Sequence, residues 1–519
     1  MSLIKSLVTV GGFTMISRVL GFIRDILIAT VLGAGPISDA FFVAFRIPNM
    51  FRRLVAEGAF SAAFIPLFSR DLEENGKLTA LEFASHALGF LTGFLFIFST
   101  LFMIFMPFLM QFLAPGFEVG GPQYDLAVTF SRITFPYLTA MAIVALLGGV
   151  LNTFYKFAAM AAAPILLNII LIGCLIFQLF NDAFSAGLLL AWGVAAAGAA
   201  QAIFLIIACK REGVWPGFHV PRFTPKIKRL FRLMLPGLIG AGVLQINILV
   251  GTIIASLLAT GSISYLYYAD RVYQLPLSVI GIAIGTALLP LLSRQLRTNE
   301  HGPANETMNR AVEVSMLLTL PATAALMVIA LPIISVLFEH GQFGAEASLT
   351  TAHALIAFSS GLPAYVLTKV YAPGFFARED TKTPVIIGIL AMAVNIALSL
   401  LLIDSLAHVG IAVATSLAAW VNALVLLALL LLKGHYTMDK RLGRRLVGSI
   451  AATAVMTAGL WAALPYAHRL IYSDDLMVKI SGLTLLVIGG GTLYGIGAVL
   501  FGAANPAELK SLIRRRKSA

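Results

Sequence analysis

Two cysteines in 519 residues, Cys174 and Cys209, lie in apolar or membrane-edge sequence and exclude a disulfide framework. The eight histidines are scattered, so no metal-ligand spacing emerges. Charge is scarce too: 12% of residues are Asp, Glu, Lys or Arg, against about 25% in a soluble domain. No P-loop is present to suggest ATP use. No small-residue cleavage site follows the first apolar run, which Arg18, Arg24 and Asp25 interrupt, so that segment reads as a retained helix. Long aqueous loops are missing as well. An intramembrane glycosyltransferase or ligase needs carboxylates or histidines poised in such a loop, and the outer loops offer only isolated candidates such as Glu118, Asp125, Glu339 and His340. An enzyme is therefore not expected.

What the chain has is apolar length. Hydrophobic residues make up 59%, and the mean hydropathy is +0.93. The 45 glycines, 36 phenylalanines and 16 methionines suit close-packed helices among lipid. Apolar runs fall near 7–33, 37–68, 82–113, 125–151, 157–180 and 185–209. A second group lies near 226–258, 263–292, 307–333, 347–374, 383–404 and 407–433, and two more near 443–467 and 477–502. Since about 20 apolar residues span the hydrocarbon core, the chain reads as an all-α polytopic membrane protein with about 14 transmembrane helices.

The formal net charge of +12 is a matter of topology rather than of nucleic acid. Alternate loops hold Arg70 and Lys77, Lys156, Lys210 to Arg229, Arg294 and Arg297, Arg378 and Lys382, and Lys433 to Arg445. The tail adds Lys510, Arg514, Arg515, Arg516 and Lys517. The intervening loops have no Lys or Arg until Arg469 and Lys479. Positive loops stay inside, which places both termini in the cytoplasm and the protein in the cytoplasmic (inner) membrane.

The chain also repeats itself. ISDAFFVAFRIPNMFRRLVAEGAFSAAFIPLFSR at 37–70 and ISYLYYADRVYQLPLSVIGIAIGTALLPLLSR at 263–294 both open on Ile-Ser, carry Arg before Pro, and close on Pro-Leu-X-Ser-Arg. FYKFAAMAAAP at 154–164 echoes FFAREDTKTP at 375–384, and the offset stays between 220 and 228 residues. This predicts two six-helix lobes, residues 1–215 and 216–436, in a parallel repeat about an axis along the membrane normal. Residues 437–519 then supply helices 13 and 14 and a basic cytoplasmic tail.

The informative residues are charges inside membrane helices: Arg18, Arg24 and Asp25; Asp39, Arg46, Arg52, Arg53 and Glu57; Arg132; Asp270 and Arg271; Lys369. Each Arg or Lys near the bilayer centre costs about 2.5–3.5 kcal/mol even on a lenient scale, so such residues face protein or water. Asp39, Arg46, Asn49, Arg53 and Glu57 follow at intervals of 7, 3, 4 and 4, one face of an α-helix. The repeat aligns Arg271 with Arg46. Arginine outnumbers carboxylate, which predicts a cationic cavity suited to phosphate or pyrophosphate. The plain alternatives are snorkelling for Arg46, Arg52 and Arg53, and structural ion pairs for Arg24 with Asp25 and Asp270 with Arg271.

SRVLGFIRD at 17–25, DAFFVAFRIPNMFRRLVAEGAFSAAFIP at 39–66, YYADRVYQLP at 267–276 and APGFFAREDTKTP at 372–384 resemble the MurJ (MviN) lipid II flippases of the multidrug/oligosaccharidyl-lipid/polysaccharide exporter superfamily. The resemblance runs through essentially the whole chain. It implies alternating access, and a cargo of undecaprenyl pyrophosphate bearing the disaccharide-pentapeptide of peptidoglycan (lipid II). It assigns pyrophosphate binding to Arg18, Arg24, Arg52, Arg53 and Arg271. Asp25, Asp39, Arg46, Glu57 and Asp270 are expected as cavity-charge or gating residues. The last two helices resemble those that form a groove for the polyprenyl tail. Neither a metal nor a cofactor is expected; membrane potential or a coupling ion would drive the cycle. Membrane lipids are expected neighbours, and nucleic acid is not. A cation-drug antiporter would show acidic surplus instead. A flippase for another undecaprenyl-pyrophosphate-linked glycan has the same lipid chemistry, and only the motifs separate it.

Overall fold

Each apolar run read from the sequence folds as helix, and no strand occurs among the described residues. The computed structural model describes residues 3–181, 185–219, 222–298, 300–473 and 475–505, with side chains at 3–8, 55–57, 239–241, 243–244, 282–283, 286 and 301 left out. The basic residues from Lys510 onward lie outside the described residues.

The helices are α1 (Leu3–Leu32), α2 (Pro36–Phe51), a π-helical stretch (Arg52–Phe60), α3 (Ser61–Ile104), α4 (Met106–Leu113), α5 (Pro122–Thr134), α6 (Tyr137–Thr153), α7 (Phe157–Phe180) and α8 (Ala186–Arg211). There follow α9 (Pro225–Ser256), α10 (Ser262–Arg297), α11 (His301–Val328), α12 (Ala330–Phe338), α13 (Ala345–Ser360), α14 (Leu362–Phe376), α15 (Lys382–Leu432), α16 (Lys440–Ile471) and α17 (Leu476–Leu500). Among the described residues nine runs are long and apolar enough to cross a membrane.

Local chemistry sets the ends. Proline opens α2, α5 and α9, where its missing N–H costs nothing. Asp439 and Asp475 cap α16 and α17 by accepting from Leu442 N (2.6 Å) and Met477 N (2.8 Å). The helical runs α3 and α15 are each broken once, at Gly76 (φ 81°) and Ala407 (φ 47°), where the sequence places a boundary between apolar runs.

The contacts divide the chain into two compact units, residues 1–264 with 340–343, and 265–339 with 344–519. In the first, α1 packs on α7, α7 on α8, α3 on α6, and α2 on α5. Helix α9 belongs here too, against α3 and the π-helical stretch. The contact boundary thus falls one helix later than the repeat boundary at residue 216. Close approaches tie this unit together. Gln342 N donates to Thr30 O (2.9 Å), and a side chain at Gly341 (φ 58°) would meet that same carbonyl at 2.4 Å. In the second unit α11 packs on α14 and α16, α13 and α14 on α15, and α16 on α17.

Two pairs of turns match across the chain. Tyr155 and Glu379 both take left-handed φ (59° and 62°), and the next amides, Lys156 N and Asp380 N, reach back to Leu151 O and Phe375 O. Gly213 and Gly434 (φ 64° and 67°) terminate α8 and α15 in the same way. The ion pairs beside them have opposite polarity: Lys156 with Glu212 (2.7 Å), Asp380 with Lys433 (3.2 Å). All four positions keep the offset of the sequence echo.

Asp380 also accepts from Thr383 Oγ1 (2.7 Å) and Thr383 N (3.0 Å). These bonds, with Lys433, hold its carboxyl down at about 2. A depressed acid contributes stability above its unfolded pKa, about 3.9, and loses it as pH falls through the folded value. Asp380→Asn should therefore lower the thermal unfolding midpoint at neutral pH. Its gap to wild type should close as the pH falls from about 4 towards 2, measured on the purified protein in detergent.

Candidate functional site

On α1 the two arginines meet different fates. Arg24 donates Nε and Nη2 to Asp25 Oδ1 (3.0 and 2.7 Å) and Nη1 to Asn168 Oδ1 of α7 (3.0 Å). Asn168 Nδ2 in turn donates to Ser17 O (2.9 Å), which pins α7 to α1. The side chains of Arg24 and Asp25 are only 12% and 3% exposed, so this is a buried, neutralised pair. Arg18 is exposed and has no hydrogen bond or ion pair among the described residues. Asn168 escaped the sequence reading, although a lone Asn in an apolar helix was the available signal.

On α2 the residues of the predicted charged face are divided between two kinds of helix. Pro48 weakens the helical ladder, α2 stops at Phe51, and Arg52–Phe60 continues with i→i+5 bonds. Arg52 Nε donates to Asn49 Oδ1 (2.9 Å), Arg53 is exposed, and Arg46 bonds Thr252 Oγ1 on α9. The side chain of Glu57 lies outside the described residues.

Asp39, expected as a cavity charge, is 2% exposed and serves as a buried acceptor. Oδ1 receives Ser264 N (2.9 Å) and Ser264 Oγ (2.6 Å), and Oδ2 receives Gly261 N (2.6 Å). Gln123 Nε2 approaches Oδ2 at 3.5 Å. The carboxylate thereby supplies the opening of α10 with the acceptors that a helix N-terminus lacks, and its charge favours that end of the dipole. Ser38 Oγ bonds Ser264 Oγ at 2.8 Å. These are the serines of the two Ile-Ser repeats.

In the second unit Arg271 lies over the ring of Tyr267, 4.6 Å from its centroid, and Asp270 accepts from Gln274. Elsewhere Arg132 Nε donates to Met103 O (2.9 Å), and the Lys369 stem would lie 3.0 Å from a side chain at Gly281. Buried Glu313 on α11 receives Arg310 and Arg445, with Arg441 Nε at 3.5 Å, and Arg310 also binds Asp439. This node fastens the start of α16 to α11. Farther along the same seam is an apolar groove of about 510 Å³, lined by residues including Leu320, Val328, Ile450, Ala454 and Trp461.

The family described as Lipid II flippase MurJ matches residues 28–479. The chain is 44% identical to the probable lipid II flippase MurJ of Rhizobium meliloti (strain 1021), over 100% of this chain and 98% of that one. It is 34% identical to the lipid II flippase MurJ of Burkholderia cenocepacia, covering 90% and 91%. A solved lipid II flippase MurJ in an inward closed conformation superposes with a TM-score of 0.78 at 26% identity, over 95% of this chain and 98% of that one. An inward-facing multidrug resistance MATE family transporter of the MOP superfamily gives 0.69 at 13% identity over 82% and 97%, a likeness of fold alone.

Proposed function

Since the chain belongs to the MurJ family of lipid II flippases, we propose that it carries lipid II across the membrane with its arginines receiving the pyrophosphate. It is a transporter and not an enzyme. The observation that supports the site reading is the contrast on α1. Arg24 is neutralised by Asp25, while Arg18, six residues earlier in the same helix, is exposed without a partner among the described residues. A cation kept bare on a membrane helix is expensive unless an anion or water meets it.

Arg52 and Arg53 at the start of the π-helical stretch, and Arg271 in the second unit, complete the proposed set. Arg24 is then a positioning residue that holds α1 on α7, at least as much as a direct ligand. The groove along α11 and α16 is a fit for the polyprenyl tail, since its lining is almost wholly apolar. Termini facing the cytoplasm and alternating access belong to the same reading.

The cycle needs no nucleotide on this reading. An empty cationic site is drawn inward by the inside-negative potential, at about 2.3 kcal/mol per charge per 100 mV. Flipping of lipid II in proteoliposomes should accelerate when an inside-negative potential is imposed. A rate indifferent to the potential would remove this source of drive. The function itself is tested by depleting the protein in its native cells and assaying which lipid-linked precursors stay inward-facing. Lipid II should accumulate there, with rescue by wild type. Normal export of lipid II with accumulation of another glycolipid would reassign the cargo.

A further inference from the structure

The motif AREDTKTP at 377–384 does not enter the transport reading, yet its first residues line a cavity of about 740 Å³ within the second unit. The cavity is walled by the end of α10 (Arg297), the first turns of α11 (Gly302, Asn305), the loop carrying Arg378 and Glu379, and the loop carrying His435. All these segments lie at helix ends where the sequence concentrates its basic residues. The size is that of an ordinary small-molecule site, about 300–1,000 Å³.

Its electrostatics are one-sided. Two guanidinium groups and an imidazole face a single carboxylate, Glu379. Arg378 donates Nη1 to Gly374 O (2.6 Å) and Nη2 to His435 O (3.1 Å), both neutral carbonyls. Arg297 Nε donates to Ser293 O (3.3 Å), also a carbonyl. Neither has a carboxylate partner among the described residues, so their charge is oriented but not cancelled. Nearby Lys433, by contrast, is neutralised by Asp380. Burial pulls the Arg378 guanidinium below its ordinary value. The walls are stiff as well. Glu379 is held at φ 62°, a conformation that a side chain other than glycine's adopts only when its surroundings enforce it.

We propose that this cavity binds a phosphate-bearing anion, held by the paired guanidinium groups of Arg297 and Arg378. Planar guanidinium forks match phosphate oxygens, and two arginines line this one cavity. A soluble solute and a lipid headgroup both supply such a phosphate; the chemistry is shared. The site does not depend on the cargo reading.

The test uses the full chain purified in an uncharged detergent, with inorganic pyrophosphate as probe and thermal unfolding as readout. Pyrophosphate should raise the unfolding midpoint of wild type and, to the same extent, of Arg229→Gln, an exposed arginine outside this cavity and outside the proposed cargo site. Arg297→Gln and Arg378→Lys should need about tenfold more pyrophosphate for the same rise. Arg297 is exposed, so its variant tests binding without threatening the fold. In nanodiscs, a response that survives phosphatidylglycerol points to a solute, and one that vanishes there but not in phosphatidylcholine points to a headgroup. No rise in wild type, an equal response in both pocket variants, or loss of the response in Arg229→Gln would each overturn the proposal.

Discussion

Arg18→Ala should abolish rescue of depleted cells while leaving the protein at wild-type abundance in the membrane. Arg18 has no partner among the described residues, so its removal orphans nothing in the fold. On the proposed reading, what is lost is a bond to the cargo pyrophosphate. A hydrogen bond to a charged group contributes about 1.5–3 kcal/mol, which at about 1.36 kcal/mol per decade is roughly a tenfold to hundredfold slower flipping rate. Arg18→Lys keeps the charge but not the fork, and should fall between the two. Arg24→Ala should behave differently. It strands Asp25, which is 3% exposed, and breaking a buried pair costs about 3–5 kcal/mol. Its loss of rescue should therefore come with loss of protein. The measurement is inward-facing lipid II set against membrane abundance for the three variants. Wild-type flipping by Arg18→Ala would sink the assignment, and so would a fall in its abundance that accounts for the defect.

The second large effect is expected at Asp39. Replacing it with Ala orphans Gly261 N and Ser264 N in a buried setting and leaves Ser264 Oγ only its bond to Ser38. At about 1–3 kcal/mol for each unsatisfied buried donor, several kcal/mol of stability should disappear. Asp39→Asn fares little better, because its amide nitrogen must face one of those N–H donors. Ser264→Ala removes only hydroxyl bonds and should cost about 1 kcal/mol. Thermal unfolding in detergent should rank the midpoints wild type, Ser264→Ala, Asp39→Asn, Asp39→Ala. An Asp39→Ala midpoint equal to that of wild type would mean that the carboxylate does not carry the opening of α10.

These two residues show where sequence reading stops. Charge within an apolar run is visible in the sequence, and both Arg18 and Asp39 stand out by that rule. Whether a charge is satisfied depends on groups far along the chain. The Asn168 that engages Arg24 is 144 residues away, and the Ser264 that engages Asp39 is 225 away. No periodicity reports such partners. The change to i→i+5 bonding at Arg52 is equally invisible, since the charged stripe on α2 is read on an unbroken α-helical period.

The sequence by itself determined the all-helical membrane class, the helix positions and the family. Apolar length and turn residues act locally, and the motifs are contiguous. It also exposed the echo between the two halves, down to the Ile-Ser pairs whose serines meet at 2.8 Å. Only the tertiary structure decided which charges are spent and which remain open. Arg24, Asp25 and Asp39 are committed to holding helices together, while Arg18 is left exposed. That division is set by packing, because burial makes each charge find a partner, and the partners arrive from distant helices.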